Sequence, residues 1–286
     1  MADGALRWVA VVACACFGAG CAARPGGQAS TSTSIIDETP AVESAREPAP
    51  AAVLSGDTPR EILLGTSAKG APIKLYVFGG GAAGPSPGTR TLLIAAIHGD
   101  EPSAAFVGRR FVDYLREHPE CTREMGASVG VIPLANPDGV ALRTRTNANG
   151  VDCNRNFPAS NWRATRPGRN HTGPSPASEP ETRAVMHAVE TLRPTRVVSI
   201  HSPLRCNNYD GPPAALALAR LMSRHNGYPV EASIGYATPG SFGTWAGIDL
   251  RIPVVTLELP PHTPGERAWT ENRDALLAVI RAPESP

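Results

Sequence analysis

Three apolar runs of strand length each stop at a residue able to bind a metal or move a proton. They constrain this chain more than any other feature. Leu92, Leu93, Ile94, Ala95, Ala96 and Ile97 run into His98-Gly99-Asp100-Glu101. Residues 195–200 stop at His201, and residues 252–257 stop at Glu258. Any one of these alone says little, because a histidine after a strand is ordinarily a core or surface residue and His-x-x-Glu recurs by chance. Together they point to one edge of a sheet, since open α/β sheets bind ligands outside the carboxyl ends of their strands. Two imidazoles and one carboxylate with a fourth position open form the donor set of a catalytic zinc site. The Gly99-Asp100 turn folds Glu101 back toward His98, and His201 closes the set from a neighbouring strand. Glu258 is then left to act as general base, because partial desolvation at the end of an apolar strand raises a carboxyl pKa toward the useful range. Its competing reading is a salt-bridged strand end. Asp100 stays open between an imidazole-orienting partner and a solvated turn residue.

The rest of the pattern supplies the frame for such an edge. Strands are expected over 61–66 and 72–78, around a turn at Ala68-Lys69-Gly70, and over 91–97, 128–134, 195–200 and 252–257. Pro102 opens a helix to about 117, since proline is tolerated in a first turn. Ser178-Glu179-Pro180-Glu181 reads as a capping box starting a helix to about 193. Further helices are expected over 213–226, briefly near 242–248, and from a cap at Thr263-Pro264-Gly265-Glu266 to about 280. Residues 79–88 read as a loop, and Asn136-Pro137-Asp138-Gly139 as a turn. Alternating strands and helices predict an α/β fold, a single domain over 59–286 with a mixed, mostly parallel central sheet flanked by helices on both faces.

The N-terminus reads differently. Arg7 precedes an apolar stretch over 8–19 that is too short to span a bilayer as a helix and has the layout of a secretory signal. Its end, Gly18-Ala19-Gly20-Cys21, resembles a lipobox, which makes residues 1–20 a signal peptide and Cys21 the lipidated first mature residue. Cys14 and Cys16 offer other registers, and an ordinary cleaved signal is the alternative. Residues 21–58 are rich in Ala, Pro and Ser and too poor in large apolar groups to fold, so they read as a tether. The expectation is an exported protein of a bacterial envelope, anchored to a membrane by its N-terminal lipid. With Cys21 acylated, Cys121, Cys153 and Cys206 remain, and three thiols allow at most one disulfide. Lys and Arg total 27 against 26 Asp and Glu, a net charge of +1, which argues against a general nucleic-acid binder.

Residues 140–176 form a long, arginine-dense stretch without periodicity, and irregular segments of that length in a compact domain tend to be functional. Arg145 is a candidate to stabilise a developing oxyanion. Asn154-Arg155-Asn156 sets a guanidinium between two amides, suited to gripping a carboxylate. Arg143, Arg163, Arg166, Arg169 and His171 are expected to form a solvated basic rim that favours acidic substrates.

From about Arg60 to Arg281 the chain resembles the zinc carboxypeptidases, in particular the branch that hydrolyses the γ-D-glutamyl-meso-diaminopimelate bond of murein peptides. The matching stretches are His98-Gly99-Asp100-Glu101, Asn136-Pro137-Asp138-Gly139, Asn147-Ala148-Asn149-Gly150-Val151-Asp152 and Asn154-Arg155-Asn156-Phe157-Pro158. They continue in Ser178-Glu179-Pro180-Glu181-Thr182, Ser199-Ile200-His201, Gly235-Tyr236 through Phe242-Gly243, and Glu258-Leu259-Pro260-Pro261. The resemblance implies one zinc ion held by His98, Glu101 and His201, with Glu258 as proton shuttle. It also implies Arg145 at the oxyanion, Asn154 and Arg155 on the substrate's terminal carboxylate, and Tyr236 as a mobile substrate contact. A murein-derived peptide is then the expected partner. Ordinary peptide C-termini or small N-acyl amino acids are the alternative substrates. A non-catalytic envelope binding protein is the reading from another class, and it would have no use for Glu258.

Overall fold

Both faces of the central strands are buried, which is why their sequences read as continuous apolar runs. Along β3 (Arg90–Ala95), Leu93 and Ala95 pack into one core and Leu92 and Ile94 into the other. The same alternation divides Val198 and Ile200 from Val197 on β5 (Arg196–His201), and Val255 and Leu257 from Val254 on β8 (Val254–Glu258). The first core is closed by α1 (Pro102–Glu117), α5 (Pro213–Asn226) and α6 (Gly265–Arg281), through Phe111, Leu218, Trp269 and Leu276. The second is closed by α4 (Pro180–Leu192) and by a π-helical turn at Gly243–Asp249, through Val185, Ala188 and Trp245.

This computed structural model describes residues 59–79, 88–123 and 127–283. The expected signal peptide, Cys21, the tether and residues 80–87 of the expected loop lie outside the described residues. No helix among the described residues is long and apolar enough to cross a membrane. The remaining strands are β1 (Arg60–Thr66), β2 (Pro72–Gly79), β4 (Ser128–Ile132), β6 (Cys206–Asp210) and β7 (Val230–Glu231). They make one sheet in the order β1-β2-β4-β3-β5-β8-β6-β7. Four of its seven pairings are parallel: β3 with β4, β3 with β5, β5 with β8, and β6 with β7. The other three are antiparallel. The mixed, mostly parallel sheet with helices on both faces is therefore what the chain forms. Two short helices, α2 (Glu120–Arg123) and α3 (Pro137–Leu142), and a 3-10 turn at Cys153–Arg155 complete the set among the described residues.

Several local expectations are corrected. Asn136-Pro137-Asp138-Gly139 is not a free turn but the start of α3, with the Asn136 side chain accepting from the Gly139 N–H at 2.9 Å. The same residues signal a turn or a helix start, because an Asn cap followed by Pro suits both. Ser178 does not cap α4. Its hydroxyl donates to Glu179 at 2.7 Å, while Glu181 accepts from the Ala68 N–H at 2.9 Å and from Asn147 at 2.8 Å. Thr263 likewise donates to the Pro260 carbonyl at 3.1 Å instead of capping α6. Strands β6 and β7 are additional. The buried Asn207 hides β6 from any apolar pattern, because its amide is satisfied by Asn226 at the end of α5, at 3.1 Å in both directions. Cys121, Cys153 and Cys206 are all buried and free, so none forms the single disulfide the count allowed.

Candidate active site

β3, β5 and β8 are adjacent and parallel, so their carboxyl ends open on one edge. His201 is the last residue of β5 and lies in register with Glu258, the last residue of β8. His98 reaches the same edge by a turn beyond β3. Ala96 there takes the left-handed conformation, with φ of 56°. Such strain needs support from outside the turn, and Asn136 supplies it. Its N–H donates to the Ala96 carbonyl at 3.0 Å and its side chain to the Ile97 carbonyl at 3.1 Å. Gly99 then packs so closely on Gly139 at the start of α3 that any Cβ would overlap the Gly139 backbone.

These supports bring three donors together. His98 Nδ1 lies 2.8 Å from Glu101 Oε1 and 3.1 Å from His201 Nδ1, and His201 Nδ1 lies 3.2 Å from Glu101 Oε2. All three residues are buried. The outer nitrogen of each ring is engaged elsewhere, His98 Nε2 with Asp152 at 3.1 Å and His201 Nε2 with the Ser199 hydroxyl at 3.0 Å. When each outer nitrogen carries the proton, both Nδ1 lone pairs and the Glu101 carboxylate face one point. Three electron-rich groups so close repel unless a cation lies between them. The set therefore fits zinc, with two imidazoles and a carboxylate within 4.8 Å of one another.

Without that ion the charge logic shows in the titrations. Burial disfavours a charged His98, yet Glu101 and Asp152 outweigh it and raise the imidazole to about 9. Burial likewise opposes ionisation of Glu101 and Asp152, but the adjacent imidazole charge holds both carboxyls well below their usual range.

Asp152 has a role that no local pattern around it announces. It is fully buried and joins His98 to Arg145, accepting from Arg145 Nε at 2.8 Å. This is the imidazole-orienting part left open for Asp100. Asp100 instead pairs with the exposed Arg169 at 2.9 Å. The clue available in the sequence was an acid two residues before Asn154. Arg145 also stands 3.7 Å from Glu101 and faces the cleft beside the donor set.

The cleft encloses about 360 Å³ and brings His98, Glu101, Arg145, Asn154, Arg155, His201, Tyr236 and Glu258 to one wall system. Glu258 has no ion-pair partner among the described residues. It accepts only a long bond from the Leu204 N–H, at 3.4 Å, and burial pushes its carboxyl up. The salt-bridged alternative is therefore not what the structure contains. Arg155 is buried and donates to the Asn154 carbonyl at 2.7 Å, with no direct ion pair to a carboxylate among the described residues. Burial lowers its pKa from the ordinary guanidinium value, and attraction to Asp152 only partly offsets that. The Asn154 side chain accepts from the Phe242 N–H at 2.8 Å, which turns its amide nitrogen toward His201 at 3.5 Å. Tyr236 is half exposed at the mouth. Arg143, Arg163 and Arg166 are exposed, as a basic rim requires, but only Arg169 of that group reaches this cleft.

The zinc carboxypeptidase family signature matches residues 57–210. Murein peptide amidase A of Escherichia coli K12 is 37% identical over 191 residues, covering 61% of this chain and 73% of that protein. The Vibrio campbellii protein of the same name is 34% identical over 230 residues, covering 76% and 86%. The crystal structure of murein-tripeptide amidase from Escherichia coli O157 superposes with a TM-score of 0.65 at 33% identity, covering 80% of this chain and 94% of that one. Carboxypeptidase A from Helicoverpa armigera shares the fold, with a TM-score of 0.67 at 18% identity, over 78% of this chain and 68% of its own.

Proposed function

Because this chain belongs to the zinc carboxypeptidase family, we propose that its hydrolytic site acts on murein peptides, cleaving the amide between γ-D-glutamate and meso-diaminopimelate. The single observation that carries the substrate is the likeness to murein peptide amidases at 34 to 37% identity across most of the folded domain. The charge of the cleft supports it, since Arg145 and Arg155 face a space that a multiply carboxylated peptide would fill.

His98, Glu101 and His201 would hold the zinc ion, which when bound supplies a Lewis acid that acidifies water and polarises a carbonyl. The chain's own groups do the rest. Glu258 takes the proton from the attacking water and returns it to the departing amine, a role suited to a carboxyl raised by burial. Arg145, fixed through Asp152, faces the carbonyl oxygen as it gains charge. Arg155 and Asn154 hold the free carboxylate of the departing residue, and Tyr236 closes over Arg155 from the mouth.

We further propose that the N-terminus directs the chain out of the cytoplasm and anchors it by a lipid. Export and acylation at Cys21 would set the enzyme on the envelope, near its polymer. The support is the Arg7-led apolar stretch and the small residues before Cys21.

The test uses residues 22 onward, which omits Cys21, incubated with L-Ala-γ-D-Glu-meso-diaminopimelate. Release of diaminopimelate that a chelator stops, and that Glu258→Gln lowers roughly 100- to 10,000-fold with zinc content unchanged, supports the reading. Full zinc occupancy without release would sink the murein substrate and turn the search to ordinary peptide C-termini.

A further inference from the structure

Arg145 and Asp152 stand at the two ends of one loop, and Asn147 fills it. The ends are joined by the bond from Arg145 Nε to Asp152 Oδ2. Between them the Asn147 N–H donates to the Val151 carbonyl at 2.9 Å, and the Asn147 carbonyl accepts from the Gly150 N–H at 3.0 Å. The side-chain oxygen of Asn147 accepts from the N–H groups of Asn149 and Val151, each at 3.1 Å. Gly150, with φ of 74°, supplies the left-handed residue that lets these bonds close.

The amide nitrogen of Asn147 has a second task. It donates to Glu179 Oε2 and to Glu181 Oε2, at 2.8 Å each. Glu179 stands at the start of α4 and Glu181 in its first turn, and all three side chains are buried. Each carboxylate is also held on its other oxygen, Glu179 by the Ser178 hydroxyl at 2.7 Å and Glu181 by the Ala68 N–H at 2.9 Å. Two buried carboxylates aimed at one point repel each other, and a neutral group with two N–H bonds satisfies both at once. Every polar atom of Asn147 is therefore engaged. Its oxygen closes the loop, and its nitrogen fastens the loop to α4.

We propose that Asn147 is a positioning residue. Bridged to Glu179 and Glu181, it holds loop 145–152 so that Asp152 meets His98 and Arg145 faces the cleft. The inference rests on zinc-dependent hydrolysis at this site and not on which peptide is cleaved.

The test reverses donor and acceptor. Asn147→Asp keeps the shape and the oxygen that closes the loop, but sets a third carboxylate against Glu179 and Glu181. Zinc affinity, read by competition with a chromogenic chelator, should weaken about 10-fold. The kcat per bound zinc for L-Ala-γ-D-Glu-meso-diaminopimelate should fall about 10- to 100-fold, as expected when a catalytic group is slightly misplaced. KM should stay near the wild-type value, because Asn154 and Arg155 lie outside the loop. Glu181→Gln added to Asn147→Asp restores the match: its oxygen still accepts from the Ala68 N–H, and its amide nitrogen donates to the new carboxylate. The double variant should recover most of both losses. Glu181→Gln alone sets two N–H donors against each other, at residue 147 or at residue 68, and should lose on both readouts. It adds no charge, so it carries the same test if Asn147→Asp does not fold.

Losses that simply add in the double variant overturn the bridge. Zinc affinity and kcat per bound zinc both unchanged in the single variants, with only a lower melting temperature, overturn the positioning role. If the wild type binds zinc and releases no diaminopimelate, the murein reading falls and zinc affinity alone decides. An affinity that Asn147→Asp lowers and Glu181→Gln restores then upholds Asn147, and any other pattern overturns it.

Discussion

Asp152 Oδ1 lies 3.1 Å from His98 Nε2, and neither group is open to solvent. The contact fixes which imidazole nitrogen carries the proton and so leaves Nδ1 free for a metal. The other Asp152 oxygen holds Arg145 at 2.8 Å, so one buried carboxylate sets both the metal site and the cation beside it. Asp152→Asn keeps the shape and removes the charge. Zinc affinity, read by competition with a chromogenic chelator, should weaken about 10- to 100-fold. Unchanged affinity would show that packing alone orients His98.

The titration of His98 makes the metal-free protein sensitive to pH. Its imidazole is raised to about 9 in the folded state, above the ordinary value of 6.5. The stability this provides is full below pH 6.5 and is lost as pH rises through 9. Glu101 and Asp152, held low, contribute above their ordinary carboxyl range and lose that contribution only in strong acid. The melting temperature of chelator-treated protein should therefore fall between pH 6.5 and 9, while zinc-loaded protein, with no proton on Nδ1 to lose, falls less. Parallel curves would contradict the coupling.

Arg155 is buried without a direct ion pair to a carboxylate among the described residues, a condition that a substrate carboxylate would relieve. Arg155→Gln should raise KM about 10- to 100-fold and leave zinc stoichiometry unchanged. A variant with normal KM for carboxylate-ended peptides would remove Arg155 from substrate binding.

Gly99 and Gly139 meet backbone to backbone, and a side chain on Gly99 has nowhere to go. Gly99→Ala should cost about 1–3 kcal/mol in urea unfolding and weaken zinc binding, since the displaced turn carries His98 and Glu101. Wild-type stability would mean that α3 can retreat without harm.

Much of this molecule was legible because the signals are local. An apolar run buried on both faces needs only its own residues to declare a strand, and a strand's last residue must point into the crevice at the sheet edge. That logic applies to His201 and Glu258, whereas His98 and Glu101 sit on the turn beyond β3. Helix starts are readable from proline, whereas the capping box at Ser178 and the cap at Thr263 do not form. Ser178, Glu181 and Thr263 have partners near at hand in space that outcompete the helix N-terminus.

The sequence by itself determined the alternation of strands and helices and the donor types at three strand ends. Local periodicity and turn chemistry suffice for those. The tertiary structure decided everything that depends on which distant segments meet. Strand order laid β3 beside β5 and β5 beside β8, and so turned three separate strand ends into one site. Packing of the irregular loop chose Asp152 over Asp100 as the partner of His98. Pairing of β6 with β8 and the approach of Gly243 and Gly247 set Asp210 in the cleft. A carboxylate's role depends on the charges and space around it, and those come from residues far along the chain.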